Sequence, residues 1–265
     1  MGNQLPADKT WSVKPLSKKG LGHAQFPAKR PLSNSLLICC VFAYLIWLFL
    51  LPRDAIKGLF ATMAWISVGF AGLRLSACFA TKPQDHGLAE ISPDLPIYSI
   101  LVPLFHETQM IEQLMTGLDR LNYPTDKLDI ILITEEVDPF TTLAVAEALR
   151  PPFWQVIVPK GTPQTKPRAL NKALATAKGE FVTIYDAEDR PHPNQLLAAL
   201  AAFKAKPSWG AVQAPLDYFN DQDNWLTRQF SLEYSALFHV WVPFLVRLNL
   251  PFPLGGTSNH MRGLM

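Results

Sequence analysis

Three acids crowd into four consecutive positions at the end of an apolar run. In FVTIYDAEDRP, Asp186, Glu188 and Asp189 follow residues 181–185 almost directly. A turn, or the start of a following helix, needs only one acid as a cap or dipole partner. Like charges a few ångströms apart repel by about 4 kcal/mol at an effective dielectric near 20. Something beyond a turn must therefore offset a run of three. Other apolar runs end the same way: His106 and Glu107 follow IYSILVPLF, and Glu135 and Glu136 follow LDIILIT. Glu107 alone is equally well explained as a first-turn helix acid. Between these acids lies GTPQTKPRALNKAL, with Lys166 and Arg168 at the mouth of a helix. It lacks the second glycine before the lysine that a Walker loop requires. What remains is either a cationic helix mouth suited to a diphosphate or a solvated charged loop.

The elements that must hold these residues alternate along the chain. Residues 97–105 form a continuous apolar strand pattern, and Ile111, Leu114, Met115, Leu118 and Leu121 then share one helical face. Strands are expected at 128–134, 154–158, 181–185 and 210–214, and helices at 140–150, 167–177 and 193–205, Pro167 suiting a first helical turn. Continuous apolar strands alternating with helices argue for an α/β fold with a mostly parallel sheet and helices on both faces. Ligands of such sheets bind at the carboxyl ends of the strands. The three acid groups should therefore face one crevice.

The chain has 265 residues, 49% hydrophobic and only 17% charged, with a net charge of +2. That balance gives no footing for a nucleic-acid partner. Cys39, Cys40 and Cys78 all lie in apolar stretches and lack metal-ligand spacing, so packing is their expected role. SLLICCVFAYLIWLFLLP, residues 35–52, and the run from 59 through Arg74 to 80 each approach the length of a bilayer span. Two transmembrane helices are expected, with buried core helices as the alternative. A cleavable signal is disfavoured, since no small-residue cleavage site follows the first run. Lys9, Lys14, Lys18, Lys19, Lys29 and Arg30 precede it, which puts the N-terminus in the cytoplasm. Residues 52–58 would make a short outer turn and return the remainder to the cytoplasmic side.

PLFHE, LITEE, TKPRALNKAL, YDAEDRP, AVQAP and GGTSNHMR, in this order, resemble the family 2 glycosyltransferases, in their membrane-embedded, cellulose-synthase-like branch. The resemblance covers about residues 98–262, and the preceding apolar pair fits that branch. It implies a GT-A (Rossmann-like) fold binding a nucleotide-diphosphate sugar, a UDP-sugar foremost, and a glycan or lipid acceptor at the lipid bilayer. Pro103, Glu107, Glu135 and Glu136 would hold base and ribose, the Glu pair leaving open which acid makes the contact. Lys166, with Arg168 beside it, would meet the diphosphate. Asp186 and Glu188 would match the metal motif, with Asp189 a further candidate, and the ion would be Mg²⁺ or Mn²⁺. Gly256, Thr257, Ser258 and His260 resemble the acceptor-side loop, His260 being either near the acceptor or a surface histidine.

The resemblance also sets expectations for organisation. They are a basic cytoplasmic tail at 1–34, two transmembrane helices at 35–80, a linker at 81–96 and the GT-A domain at 97–220. An interfacial helix and the acceptor-side loop follow at 221–265, that helix being otherwise a core element. The protein would be a multi-pass protein of the cytoplasmic membrane with its catalytic domain cytoplasmic. The family's catalytic base lies in a later acidic motif, and the chain stops at Met265 before it. No base is assigned within these residues, Asp217 and Glu233 being poor substitutes, so the chain as given is expected to be inactive. The alternatives are a catalytically inactive sugar-nucleotide-binding or assembly subunit, and a single-sugar transferase to a lipid phosphate.

Overall fold

The computed structural model describes residues 34–50, 52–80, 86–92 and 94–263. The basic tail expected at 1–34 lies outside them except for Asn34, as does part of the expected linker. The chain divides into two units, Met1–Ala71 and Gly72–Met265.

The first unit contains α1 (Asn34–Leu50) and most of α2 (Pro52–Ala80). The turn expected at 52–58 is instead the start of α2. Proline is tolerated at a first helical position, where its missing N–H breaks no bond. Gly58 of α2 packs under the Trp47 ring of α1, where a Cβ would stand 2.5 Å from the ring. Among the described residues one helix, Ile56–Phe79, is long and apolar enough to cross a membrane. At 17 residues α1 falls short of the roughly 20 that a span needs. Most of its described side chains are nonetheless exposed, Phe42 and Phe49 at 62% and 87%.

The second unit is built on a six-stranded sheet. Its elements are β1 (Tyr98–Pro103), α3 (Ile111–Leu118), β2 (Leu128–Glu135), α4 (Pro139–Ala148), β3 (Phe153–Val158), α5 (Lys166–Leu174), β4 (Phe181–Ile184), α6 (Gln195–Ala205) and β5 (Ala211–Gln213). There follow α7 (Trp225–Ala236), α8 (Val242–Arg247) and β6 (Asn259–Arg262). The strand order is β3-β2-β1-β4-β6-β5. The first four strands in that order run parallel, as expected, and β6 is antiparallel to both its neighbours.

Strand alternation divides the core between the two faces. Tyr98, Ile100 and Val102 of β1 point to one face, where side chains of α3, α4 and α6 cover them. Leu101, Ile131 and Val182 point to the other, against Ala169 and Ala173 of α5. Helices therefore cover both faces, and the small alanines let α5 lie close to the sheet.

Two expectations are corrected. Residues 259–262 form a strand rather than part of a loop. NHMR has little intrinsic strand preference; flanking partners on both sides supply the pairing. The helix expected across 221–250 is broken. A capping box joins Asn224 and Thr227 at the start of α7, and a π turn at Leu237–Trp241 separates it from α8. No residue of α7 is buried, whereas Phe238, Val242, Phe244 and Leu245 are. The core reading fits the part from Phe238 to Leu245, whereas α7 adds no buried residue to the core.

At the amino ends of the strands, buried Asp129 staples three elements. Its carboxylate accepts from Ser99 Oγ at 2.5 Å, Trp154 Nε1 at 2.8 Å and the Lys178 N–H at 2.9 Å. The Gly179 N–H in turn donates to Ser99 Oγ at 2.8 Å. This locks the entry to β4 against β1 and β2, so the position of its far end follows from the register Tyr98↔Phe181 through Leu101↔Ile184.

Candidate active site

Because β1, β2 and β4 are parallel and in register, their carboxyl ends open on one cleft of about 570 Å³. Six of the expected residues line it: Pro103, Glu107, Glu135, Lys166, Asp186 and Glu188. Phe105, Gln164 and Thr165, not singled out in the sequence, line it as well. Glu135 faces the cleft; the Glu136 carboxylate turns to the Lys160 N–H at 2.8 Å.

The acid run resolves into two kinds of group. Residues 186–189 form a turn closed by the Asp189 N–H donating to the Asp186 carbonyl at 3.1 Å. Asp189 Oδ2 reaches back to accept the Asp186 N–H at 2.7 Å, and it also accepts from the Thr257 hydroxyl. Asp189 does not line the cleft; Asp186 and Glu188 do. Lys166, the first residue of α5, pairs with Asp186 and reaches the Gly256 carbonyl at 3.4 Å. The lysine thereby ties Asp186 to the loop at 255–258. Arg168 also stays outside the cleft. Its guanidinium donates to the Pro159 carbonyl and packs on Gly161, where a Cβ would sit 2.6 Å from Nη2.

The loop bearing Gly256, Thr257 and Ser258 borders the cleft without lining it. Gln213, the glutamine of AVQAP and given no role in the sequence, organises it. Its Oε1 accepts the Gly255 N–H at 2.7 Å, and its Nε2 donates to the Thr257 carbonyl at 3.2 Å. Ser258 adopts a left-handed φ of 54°, and its N–H donates to Ile184 O at 2.7 Å. His260 is not a surface residue. It is wholly buried on β6, its Nδ1 2.7 Å from the Tyr98 hydroxyl, and burial pushes its pKa down to about 3. It lines a separate cavity beside Gln195 rather than the cleft.

Burial pushes the Glu107 carboxyl above its ordinary value of 4.5, and the nearby Glu188 and Asp186 charges add to this; the Phe105 N–H and Lys166 oppose it. Burial likewise raises Asp189, reinforced by Asp186 and Glu188 and opposed by its hydrogen bonds from Thr257 and Asp186. Both groups therefore hold a proton more tightly folded than unfolded. Their contribution favours the fold at low pH and falls as pH rises from the ordinary carboxylate value through the raised one. As pH rises above the ordinary carboxylate value, Glu107→Gln and Asp189→Asn should each flatten the pH dependence of urea unfolding. An unchanged slope in both variants would refute this.

Residues 93–243 match the family described as Glycosyltransferase like family 2. The chain belongs to this family. Its sequence is 28% identical over 182 residues to a beta-monoglucosyldiacylglycerol synthase of Nostoc sp., covering 65% of this chain and 38% of that protein. It is 27% identical over 143 residues to the Bacillus subtilis protein named Probable glycosyltransferase YdaM, covering 53% and 34%. The chain thus spans little more than a third of the length of these relatives. Among solved structures, it is similar to a mannosyltransferase from Pyrobaculum calidifontis in complex with GDP-Man and Mn²⁺. The TM-score is 0.41 and the identity 26%, over 58% of this chain and 48% of that one.

Proposed function

We propose that this chain forms the donor-binding part of an inverting glycosyltransferase that takes a nucleotide-diphosphate sugar, foremost a UDP-sugar. The observation that carries the reading is the cleft itself. It gathers Pro103, Glu107, Glu135, Asp186 and Glu188 at three strand ends, with Lys166 of α5 beside them, within a family of glycosyltransferases. In this reading Glu135 and Glu107 face the base and ribose. Lys166, the first residue of α5, meets the diphosphate with its ammonium. Asp189 and Arg168 serve as supports that hold the turn and the 159–161 loop.

The charges of the cleft fit a divalent cation. Its lining carries four carboxylates against the single ammonium of Lys166, so a bare diphosphate would be repelled. Among the described residues no three His, Cys, Asp or Glu side chains gather closely enough to hold a metal unaided. One or two carboxylates completed by substrate phosphate oxygens are, however, the usual setting for Mg²⁺, and Asp186 and Glu188 provide them. When bound, such an ion neutralises charge on the diphosphate leaving group. Lys166 supplies a fixed positive charge beside the same group.

The transfer also needs a carboxylate to take the acceptor's hydroxyl proton. Asp217 is engaged by Ser231 Oγ at 2.7 Å and Glu233 lies exposed on α7; neither is assigned that role. Membrane placement rests on the apolar pair α1 and α2 and on α7. The latter exposes Trp225 at 72%, Leu226 at 53% and Leu232 at 63%, as a helix lying against a bilayer surface would. That surface would bring a glycan or lipid acceptor to the 255–258 loop.

The test is calorimetric titration with UDP- and GDP-sugars, with and without Mn²⁺. Metal-dependent binding of at least one is expected. A folded protein that binds none would overturn the donor assignment.

A further inference from the structure

We infer that Asp138 is a positioning residue for the nucleoside-facing wall of the cleft, holding the loop after β1 through the backbone of His106. Asp138 is 1% exposed, does not line the cleft, and sits at the N-cap of α4. One carboxylate oxygen accepts the Thr141 N–H at 3.2 Å, the ordinary capping bond. The other accepts the His106 N–H at 2.7 Å and lies 3.6 Å from His106 Nδ1. His106 holds a left-handed φ of 58°, a conformation that side chains with a Cβ disfavour. Its flanking residues Phe105 and Glu107 both line the cleft, while the His106 side chain is 67% exposed. The Phe105 N–H donates to Glu107 Oε2 at 3.4 Å. The unusual backbone at 106 is thus what lets residues 105 and 107 both face the cleft.

Asp138 lies three positions beyond Glu135, so one buried carboxylate joins the segments after β1 and β2, which carry two of the cleft's four acids, Glu107 and Glu135. Burial pushes its pKa up, but hydrogen bonds from Thr141 and His106 outweigh this and hold it below the ordinary value. The charge therefore persists at neutral pH. The inference rests on the donor reading above, because it concerns the end of the cleft assigned to the nucleoside rather than the diphosphate end at Lys166 and Asp186.

An amide cannot replace both carboxylate oxygens, since only one of its ends accepts. In the full chain, Asp138→Asn should weaken the best-binding member of the UDP- and GDP-sugar panel about 10-fold. Binding of pyrophosphate with Mn²⁺ should stay within about two-fold of wild type. Adding His106→Gly to Asp138→Asn should restore most of the nucleotide-sugar affinity, because glycine enters positive φ without strain. A role confined to helix capping would not be rescued in this way. Three results each overturn the inference: unchanged nucleotide-sugar affinity in a folded Asp138→Asn protein, equal weakening of pyrophosphate, or no recovery with His106→Gly. A wild-type protein that binds no nucleotide sugar instead removes the donor reading itself, and the inference with it.

Discussion

Replacing Asp186 with alanine is expected to lower metal-dependent donor affinity by at least about 100-fold, or roughly 2.7 kcal/mol. Asp186 is the first acid beyond β4, it lines the cleft, and its carboxylate already carries a cation in the form of Lys166. Its loss removes one of the two carboxylates assigned to the divalent ion. It also frees Lys166, whose ammonium would attract the diphosphate but carries only half the charge a divalent ion would supply. Some affinity should therefore survive without metal, and the dependence on Mn²⁺ should be what disappears. Glu188→Ala should act in the same direction with a smaller effect, since Glu188 is exposed. Asp189→Asn, which retains an oxygen for the Asp186 N–H, should change affinity little. Calorimetry across a Mn²⁺ series separates these cases. Unchanged binding in both Asp186→Ala and Glu188→Ala would remove the metal assignment, and equal losses in Asp186→Ala and Asp189→Asn would point to a general collapse of the turn.

Much of this site was legible because local pattern and topology coincide. The apolar runs of β1, β2 and β4 could only be buried strands, and parallel strands place their following residues along one edge. Glu107, Glu135, Asp186 and Glu188 lie in the cleft for that reason, and Lys166 joins them from the mouth of α5. What stayed hidden depends on partners far along the chain. Asp189 looks like a third metal ligand until Thr257, 68 residues later, is seen to occupy its carboxylate. Glu135 and Glu136 are neighbours with no local mark to separate them, and only the approach of Lys160 does so. His260 reads as a loop histidine because nothing in NHMR signals a strand; its burial follows from pairing with Thr183 and Val212. Asp138 stood before Pro139, an N-cap signal readable from sequence. Its second partner, His106, lies 32 residues upstream and is visible only in three dimensions.

The largest structural effect is expected at the opposite end of the sheet. Gly179→Ala should destabilise the domain by about 3 kcal/mol, the upper part of the usual range for overpacking a core. A Cβ at Gly179 would stand 2.4 Å from Ser99 N and 2.6 Å from Phe181 O, both backbone atoms that no rotamer change can move. Relief requires β4 to withdraw from β1, which breaks the Gly179 N–H bond to Ser99 Oγ and disturbs the Ser99 bond to Asp129. The register between β4 and β1 carries the disturbance to Asp186, five residues beyond Phe181. Donor affinity should therefore fall along with stability, although residue 179 is remote from the cleft. Gly117→Ala is the matched control: it lies in α3 with nothing within 4 Å of its Cβ position. There alanine should stabilise by about 0.5–1 kcal/mol through unfolded-state entropy and helix preference. Equilibrium urea unfolding of the two variants should give shifts of opposite sign. A Gly179→Ala midpoint equal to wild type would show that β4 can move away from Ser99 without loss, and that the staple at Asp129 does not set the position of the acid turn.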